Sequence, residues 1–483
     1  METILSNAGL NFNKLERIFF RMGCDIALNQ LREILEKMDD TIRDSRDKEC
    51  YRHKGKRLTT IKTMMGELEF ERVLYTTKLE NGQIASIYLL DEALGFDTVG
   101  KISTNLATEI ASCACVSSYR ETAKEVSAMT GQVISHGGAW NVVQLLGQRQ
   151  AKVEVQQAEQ AKSGQGVGEI ETPILFEEAD GAWINMQGKD RPKNGRKCEM
   201  KVAAAYDGWS QDGKGRTRLN NKVLIGGFDE SKDFQDKKEG AIAAVFNTDE
   251  IDIRILNGDG GGWIKAGLTS EDVHFQLDPF HRNREITRKV KNKEHREKIK
   301  EYLSEKNVDM CLVYIDALSE SMEDEKEKAD LISLHRYFST NREGLIPYQE
   351  RGLDLPDPPE GIVYRSLGTM EHHVYDIVAK RMKHQKASWS KAGATNLCRL
   401  ICQKICDHLH ETVTSLSKMV LPIQFVEEIT AILSAAKAPQ KDGKGYEYPV
   451  KGREPFQETF RTNGRKAILN MLKDRNASEL FYR

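Results

Sequence analysis

Two aspartates stand where apolar runs meet glycine. Asp180 closes Ile174-Leu175-Phe176-Glu177-Glu178-Ala179-Asp180-Gly181, and Asp259 lies in Ile253-Arg254-Ile255-Leu256-Asn257-Gly258-Asp259-Gly260. A third acid, Glu371, precedes a basic stretch. Carboxylate oxygens suit Mg²⁺, a hard cation, and two such ions about 3.5–4 Å apart clamp the attacking and leaving oxygens of a phosphodiester. Taken singly, an aspartate before glycine is an ordinary turn residue that caps local backbone. Taken together, the three acids have the layout of a two-metal phosphoryl-transfer site, with Mn²⁺ able to replace Mg²⁺. His281 joins them as a catalytic candidate, because imidazole titrates near working pH and can position a water, a phosphate or a metal-bound carboxylate. The plainer reading is a helix-start histidine that caps backbone, with Asp278 just before it as a strand-end cap.

Acids this far apart in sequence act together only if the fold brings them to one sheet edge. The unit that would do so begins near Glu171. Its first strand ends at Asp180, a second follows through Trp183-Ile184-Asn185-Met186, and a third is Met200 to Tyr206. A helix around Ala241 to Phe246 leads into the strand before Asp259, and a fifth strand, Val273 to Leu277, ends at Asp278. Three strands, then strands alternating with helices, is an α+β order with a mixed sheet.

Glu178-Ala179-Asp180-Gly181, the Gly258-Asp259-Gly260 turn with Trp263-Ile264-Lys265, Phe275-Gln276-Leu277-Asp278-Pro279-Phe280-His281, and Ser388-Trp389-Ser390-Lys391-Ala392-Gly393-Ala394 resemble the ISLre-two family of bacterial insertion-sequence transposases. With Tyr51 to Tyr75 and Leu89-Leu90-Asp91, the likeness spans most of residues 15–405. It implies an RNase H-like catalytic domain with an Asp-Asp-Glu triad, distantly Mutator-like, in which Asp180, Asp259 and Glu371 hold the metals. It also implies an all-helical insertion, residues 282–365, before the helix bearing Glu371. That helix should carry Glu371 about one turn in and end near Lys386.

Upstream, apolar residues at helical spacing over residues 12–45 predict one or two amphipathic helices. Arg57 to Tyr75 alternates and is split by Met65-Gly66-Glu67, which predicts a basic β-hairpin, either a DNA-contacting element or a lid. Ser118 to Leu146 reads as a helix-turn-helix: a short helix from Tyr119 to Met129, a break at Thr130-Gly131-Gln132, and a second helix capped by Ser135. That second helix would present Ser135, His136 and Asn141 to the major groove; with a turn longer than the compact motif, the same pattern also fits an ordinary helical hairpin. A polar helix from Gln148 to Lys162 and a glycine-rich linker then mark a boundary. The resulting division is 1–90, 91–162, 169–281, 282–365, 366–410 and 411–483, the last with helices through Leu421 and Ile432 and near Arg465.

The net charge of −2 conceals local basic runs, with eight Lys or Arg against three acids in residues 43–62 and nine against three in residues 282–300. A third run, seven against one in residues 376–406, follows Glu371 and nominates Arg381 and Lys383 as phosphate contacts. Trp263 and Trp389 are read as packed on glycine turns rather than as platforms for bases. Nine cysteines at irregular spacing exclude a disulfide scaffold or zinc finger, and Cys398, Cys402 and Cys406 fit a helix core. No signal peptide, long apolar span or P-loop appears, so a cytoplasmic, nucleoid-associated protein is expected. The function these readings imply is a transposase that cleaves element ends and joins the 3′-hydroxyl to target DNA, working as a homodimer or larger assembly on double-stranded DNA. Two alternatives stay open: a catalytically inactive DNA-binding regulator derived from such an enzyme, and an RNase H-like nuclease that never joins.

Overall fold

The computed structural model describes residues 11–417 apart from 80, 81, 96, 97, 100, 212, 214 and 384–386. These residues belong to one compact unit. The helices expected through Leu421 and near Arg465 lie outside the described residues.

Asn11 accepts the Lys14 N–H (3.0 Å) and opens α1 (Phe12–Ser45), one 34-residue helix. Its Leu28 and Leu35 pack on Ile61, Leu68 and Phe70 of a hairpin, β1 (Arg52–Thr63) and β2 (Gly66–Lys78), which turns where the alternation predicts. The buried Asp39 carboxylate accepts the Val73 N–H (2.9 Å) and ties helix to hairpin. With β3 (Ile84–Ile87), α2 (Leu89–Leu94), β4 (Thr98–Val99) and β5 (Ile102–Ser103), this region forms a sheet of order β3-β2-β1-β5-β4.

Next, α3 (Thr104–Ala114) and α4 (Tyr119–Met129) lead to α5 (His136–Lys162). The second helix of the expected pair and the polar helix after it are this one 27-residue helix. Its polar stretch hides a buried face that includes Gln150, Glu154 and Ala158, so the two halves act as one packed element.

The central sheet starts with β6 (Ile174–Asn185), β7 (Lys197–Tyr206), β8 (Trp209–Gln211), β9 (Thr217–Leu219) and β10 (Val223–Gly227). After α6 (Ser231–Ala243) come β11 (Ile253–Gly258), α7 (Gly262–Lys265) and β12 (Val273–Leu277). Its order is β10-β7-β6-β11-β12; β7 is antiparallel to β6 and β10, and β11 is parallel to β6 and β12. Two expected strands are thus one: β6 does not stop at Asp180 but runs on, with Asp180 opposite Val202 and Gly181 opposite Lys201. The third strand is β10, which the sequence did not suggest. Strand alternation sends Ile174 and Phe176 to one face, against Tyr206, Tyr348 and Leu367, and Ala179 to the other, against Phe234 of α6 and Ile264 of α7. On that second face buried Glu177 pairs with Arg254 (2.6 Å) and Lys238, fixing α6 to the sheet.

Asp278 caps α8 (Pro279–Lys289) by accepting the Phe280 and His281 N–H groups at 2.8 and 3.1 Å, as its strand-end position suggests. A helical subdomain comes next: α9 (Lys293–Ser304), α10 (Val308–Ser321) and α11 (Glu325–Thr340). It has its own core, with Ile286, Ile299, Ile315, Leu334 and Phe338 fully buried. An extended return passes to α12 (Met370–Val374), which continues as a π-helical segment, Tyr375–Lys383, then to α13 (Lys391–Ile405) and α14 (Leu409–Ser417). Arg399 of α13 pairs with Glu154 of α5 (2.8 Å), and Cys398 and Cys402 are buried in the core, Cys398 against Gly226. The chain is an α+β fold with mixed sheets. Among the described residues, no helix is long and apolar enough to cross a membrane.

Candidate metal centre

Register brings the first two acids together. Gly258 of β11 pairs with Ala179 of β6, so the next residues along, Asp259 and Asp180, are neighbours where the parallel pairing ends. Gly260 has φ +84°, a left-handed turn that lets the chain leave β11 abruptly, and a Cβ there would lie 2.6 Å from the Asn341 amide. Asp259 is held by its own turn, its Oδ1 accepting the Gly261 N–H (2.8 Å) and its carbonyl accepting the Tyr337 hydroxyl (2.8 Å).

His281, in the first turn of α8, enters the same space. One ligand atom each from Asp180, Asp259 and His281 lie within 4.8 Å of one another. His281 Nε2 is 3.5 Å from Asp180 Oδ2 and 3.5 Å from Glu371 Oε1, so the distant glutamate joins the cluster. Glu371 is the second residue of α12, in its first turn rather than a turn further on. Asp180 and His281 are buried, whereas Glu371 is exposed, which leaves the cluster open on one side. Burial pulls the His281 imidazole down, but the hydrogen bond and charge of Asp180 outweigh it, and its pKa is raised above the ordinary histidine value.

Two further carboxylates shape the site. Glu178, fully buried, shares the Asp180 face of β6 because strand side chains repeat every second residue. It accepts the Gly368 N–H (3.0 Å), the Thr369 N–H (3.0 Å) and hydroxyl, the Tyr206 hydroxyl (2.6 Å) and the Asn257 amide (2.9 Å). It therefore fastens the start of the Glu371 helix to the strand that carries Asp180. Glu199 of β7 is paired opposite Trp183, and its carboxylate occupies the space a Gly181 side chain would take. Burial and then the Asp259 charge push the Glu199 carboxyl above its usual range. Neither role was read from the sequence; the two-residue spacing of Glu178 and Asp180 was the available signal for the first, whereas only strand register reveals the second.

The donor set fits divalent metal. Among the described residues no Lys or Arg forms an ion pair with Asp180, Asp259 or Glu371; His281 alone approaches. Crowded carboxylates without a compensating cation repel one another, whereas Glu177, on the other face, is fully paired.

The expected nucleic-acid contacts separate. Ser135 is an N-cap, accepting the Gly138 N–H (3.0 Å). His136 is exposed at the start of α5 and Asn141 is half-buried one turn on. Arg381 is engaged inside the protein: its Nε donates to the Ala114 carbonyl (2.9 Å) and its guanidinium lies over Tyr119 and Trp389. Those contacts tether helices together, while Lys383 is exposed. Trp389 is buried, with its indole N–H on the Met382 carbonyl (3.0 Å), and Trp263 packs edge-on to Phe234, as the packing reading of both expects.

Comparison with known proteins adds a family. A "UPF0236 protein in vanSb 3'region" from Streptococcus gallolyticus is 24% identical over 405 residues, covering 81% of this chain and 82% of its own. A UPF0236 protein of Caldanaerobacter subterraneus subsp. tengcongensis is 24% identical over 405 residues, covering 82% of this chain and 78% of its own. The family profile described as "Uncharacterised protein family (UPF0236)" matches residues 5–416. The chain belongs to the UPF0236 family.

Proposed function

We propose that this chain is a DNA transposase of the Asp-Asp-Glu type, built on an RNase H-like core. The observation that carries the reading is convergence: Glu371, a whole helical subdomain beyond Asp259, reaches His281 at 3.5 Å, the same distance His281 keeps from Asp180. The sheet supports it, with three antiparallel strands, two more parallel to the first, and acids on the first strand, after the fourth, and on a later helix. The name printed for another Caldanaerobacter relative joins eleven designations, as a sequence present in many copies would. The ISLre-two resemblance points the same way.

Asp180, Asp259 and Glu371 would hold Mg²⁺ or Mn²⁺, which supplies an activated water and charge neutralisation at the leaving 3′-oxygen. Glu178 holds the Glu371 helix in register with β6. His281 keeps its Nε2 between Asp180 and Glu371, where it can hold or release a proton. The freed 3′-hydroxyl would then attack target DNA, so no covalent enzyme intermediate is required. Double-stranded DNA is the partner, a homodimer or larger assembly the working form, and the cytoplasm the compartment.

The test is nicking and joining of a labelled duplex carrying the element's own end, with Mg²⁺ or Mn²⁺. Changing an outer-shell partner of a metal costs about 10–100-fold, so removing a ligand oxygen by Asp180→Asn or Asp259→Asn is expected to exceed about 100-fold. Specific binding without nicking by the parent would replace this reading with a regulator. Nicking with no joined product would replace it with a nuclease.

A further inference from the structure

Beside Asp259 a cavity of about 450 Å³ opens between α8 and α11. Gly260 and Asn341 line its inner end, where it meets the acid cluster, and Arg284, Arg288 and Arg336 line its walls. The charges are not equivalent. Of the two acids that line it, Asp259 belongs to the acid cluster and Glu285 is already paired with Arg288 (2.6 Å) and Lys289 (3.3 Å), and Lys289 also donates to the Ser333 hydroxyl (2.8 Å). Arg284 and Arg336, one from each helix, form no ion pair with a carboxylate among the described residues, and both are exposed. Arg284 instead sits 3.1 Å from His281 Nδ1, so this free charge touches the candidate catalytic histidine.

Two unpaired guanidiniums facing one cavity attract an anion, and the planar fork of arginine matches phosphate oxygens. The volume is in the range of small-molecule pockets, far more than one phosphate group fills, and a duplex does not enter a space between two packed helices. A single unpaired nucleotide is large enough to fill it and slim enough to enter. Tyr337 offers an aromatic wall, its hydroxyl already donated to the Asp259 carbonyl.

We propose that the cavity between α8 and α11 is a subsite for an unpaired nucleotide next to the bond that is cut, with its phosphate held by Arg284 and Arg336. This rests on the transposase reading of the neighbouring acids. It also gives the helical subdomain a role, because α11 closes over the strand end that the sheet alone would leave loose.

The test compares the full-length parent with Arg336→Ala and Arg336→Lys, binding a blunt duplex and the same duplex with a short unpaired tail, by fluorescence anisotropy without catalytic metal. Arg336 is chosen because it is exposed and touches none of the acids. The parent should prefer the tailed duplex roughly tenfold, the scale of one charged hydrogen bond. Arg336→Ala should lose that preference while binding blunt duplex as before, and its salt slope on the tailed duplex should fall by about 0.7, the value for one single-strand phosphate contact. Arg336→Lys should keep part of the preference. A parent that binds both duplexes equally, or an Arg336→Ala that keeps the preference, overturns the subsite alone. Binding of neither duplex overturns the subsite and the transposase reading together.

Discussion

At the scale of single residues, the decisive group is one that cannot touch substrate. Glu178 is fully buried, and it accepts hydrogen bonds from Gly368 and Thr369 that bring the Glu371 helix to β6, while Tyr206 and Asn257 of the sheet donate to the same carboxylate. Hydrogen bonds to a charged group contribute roughly 1.5–3 kcal/mol each when one partner is deleted, and losses at one carboxylate do not add. Glu178→Gln keeps the shape but places an amide N–H₂ among donors. We expect it to destabilise the fold by about 3 kcal/mol and, in the folded fraction, to weaken metal-dependent nicking by about 10–100-fold. Chemical denaturation and nicking assays read the two effects, and wild-type activity in a folded Glu178→Gln would mean the helix start needs no such anchor. Asp180 and Asp259 were legible because acid, glycine and apolar run sit side by side in sequence, and His281, which clusters with them, because an imidazole follows the strand-end Asp278 by three residues. Glu199 was not, because it stands opposite Trp183 and reaches the space beside Gly181 only through the pairing of β7 with β6, and register is written in no local pattern.

Element by element, the readings that succeeded rest on a clean period. The hairpin alternates, and β12 is a short apolar strand ending at a capping aspartate. The failures have physical causes too. Asp180-Gly181 looks like a strand end, yet β7 supplies pairing on through Asn185, and the missing Gly181 side chain makes room for Glu199. Strand β10 is only five residues long and ends in two glycines, one of which accommodates Cys398. Helix α5 looked divided because its second half is polar, but one face of that half is buried, with Glu154 paired to Arg399 and Ala158 close against Gly240 of α6. Just before that stretch Gly147 meets α13, where a Cβ would lie 2.4 Å from the Asn396 Cβ and 2.6 Å from its Cα. Alanine has a helix propensity advantage of about 1 kcal/mol over glycine, while overpacking costs about 1–3 kcal/mol. Because backbone of α13 is what must move, the clash should prevail, and Gly147→Ala should lower the melting temperature. Gly23→Ala on α1 meets nothing within 4 Å, so it should raise stability by about 1 kcal/mol. Equal shifts in the two variants would show that α5 and α13 do not pack as described.

For the whole molecule, the question is what the central sheet and its acid cluster are joined to. One run of chain builds an N-terminal sheet under α1, a helical layer, the central sheet and the helical subdomain, and each has buried apolar residues of its own. The sequence marked the basic hairpin and the insertion, but not that α5 runs unbroken from the helical layer to Lys162, ahead of the central sheet that begins at Ile174. The first half of α1 stands apart from these cores. Phe12, Phe19, Met22 and Ile26 are 76%, 62%, 48% and 51% exposed, and with Leu15 they follow the three- and four-residue steps of a coiled-coil seam. A solvated helix does not keep large apolar residues at that spacing without a partner, and a seam of this kind is satisfied by a second copy of itself. Joining two element ends requires two catalytic units in one assembly, which the proposed function already asks for. We therefore expect the full chain to sediment as a dimer at micromolar concentration, and Phe19→Glu with Ile26→Glu to sediment as a folded monomer. The same double variant should still nick a single end but lose paired-end joining, since the acids of each centre come from one chain. A parent that is monomeric at every concentration tested, or a double variant that remains dimeric, would mean that α1 is not the joint.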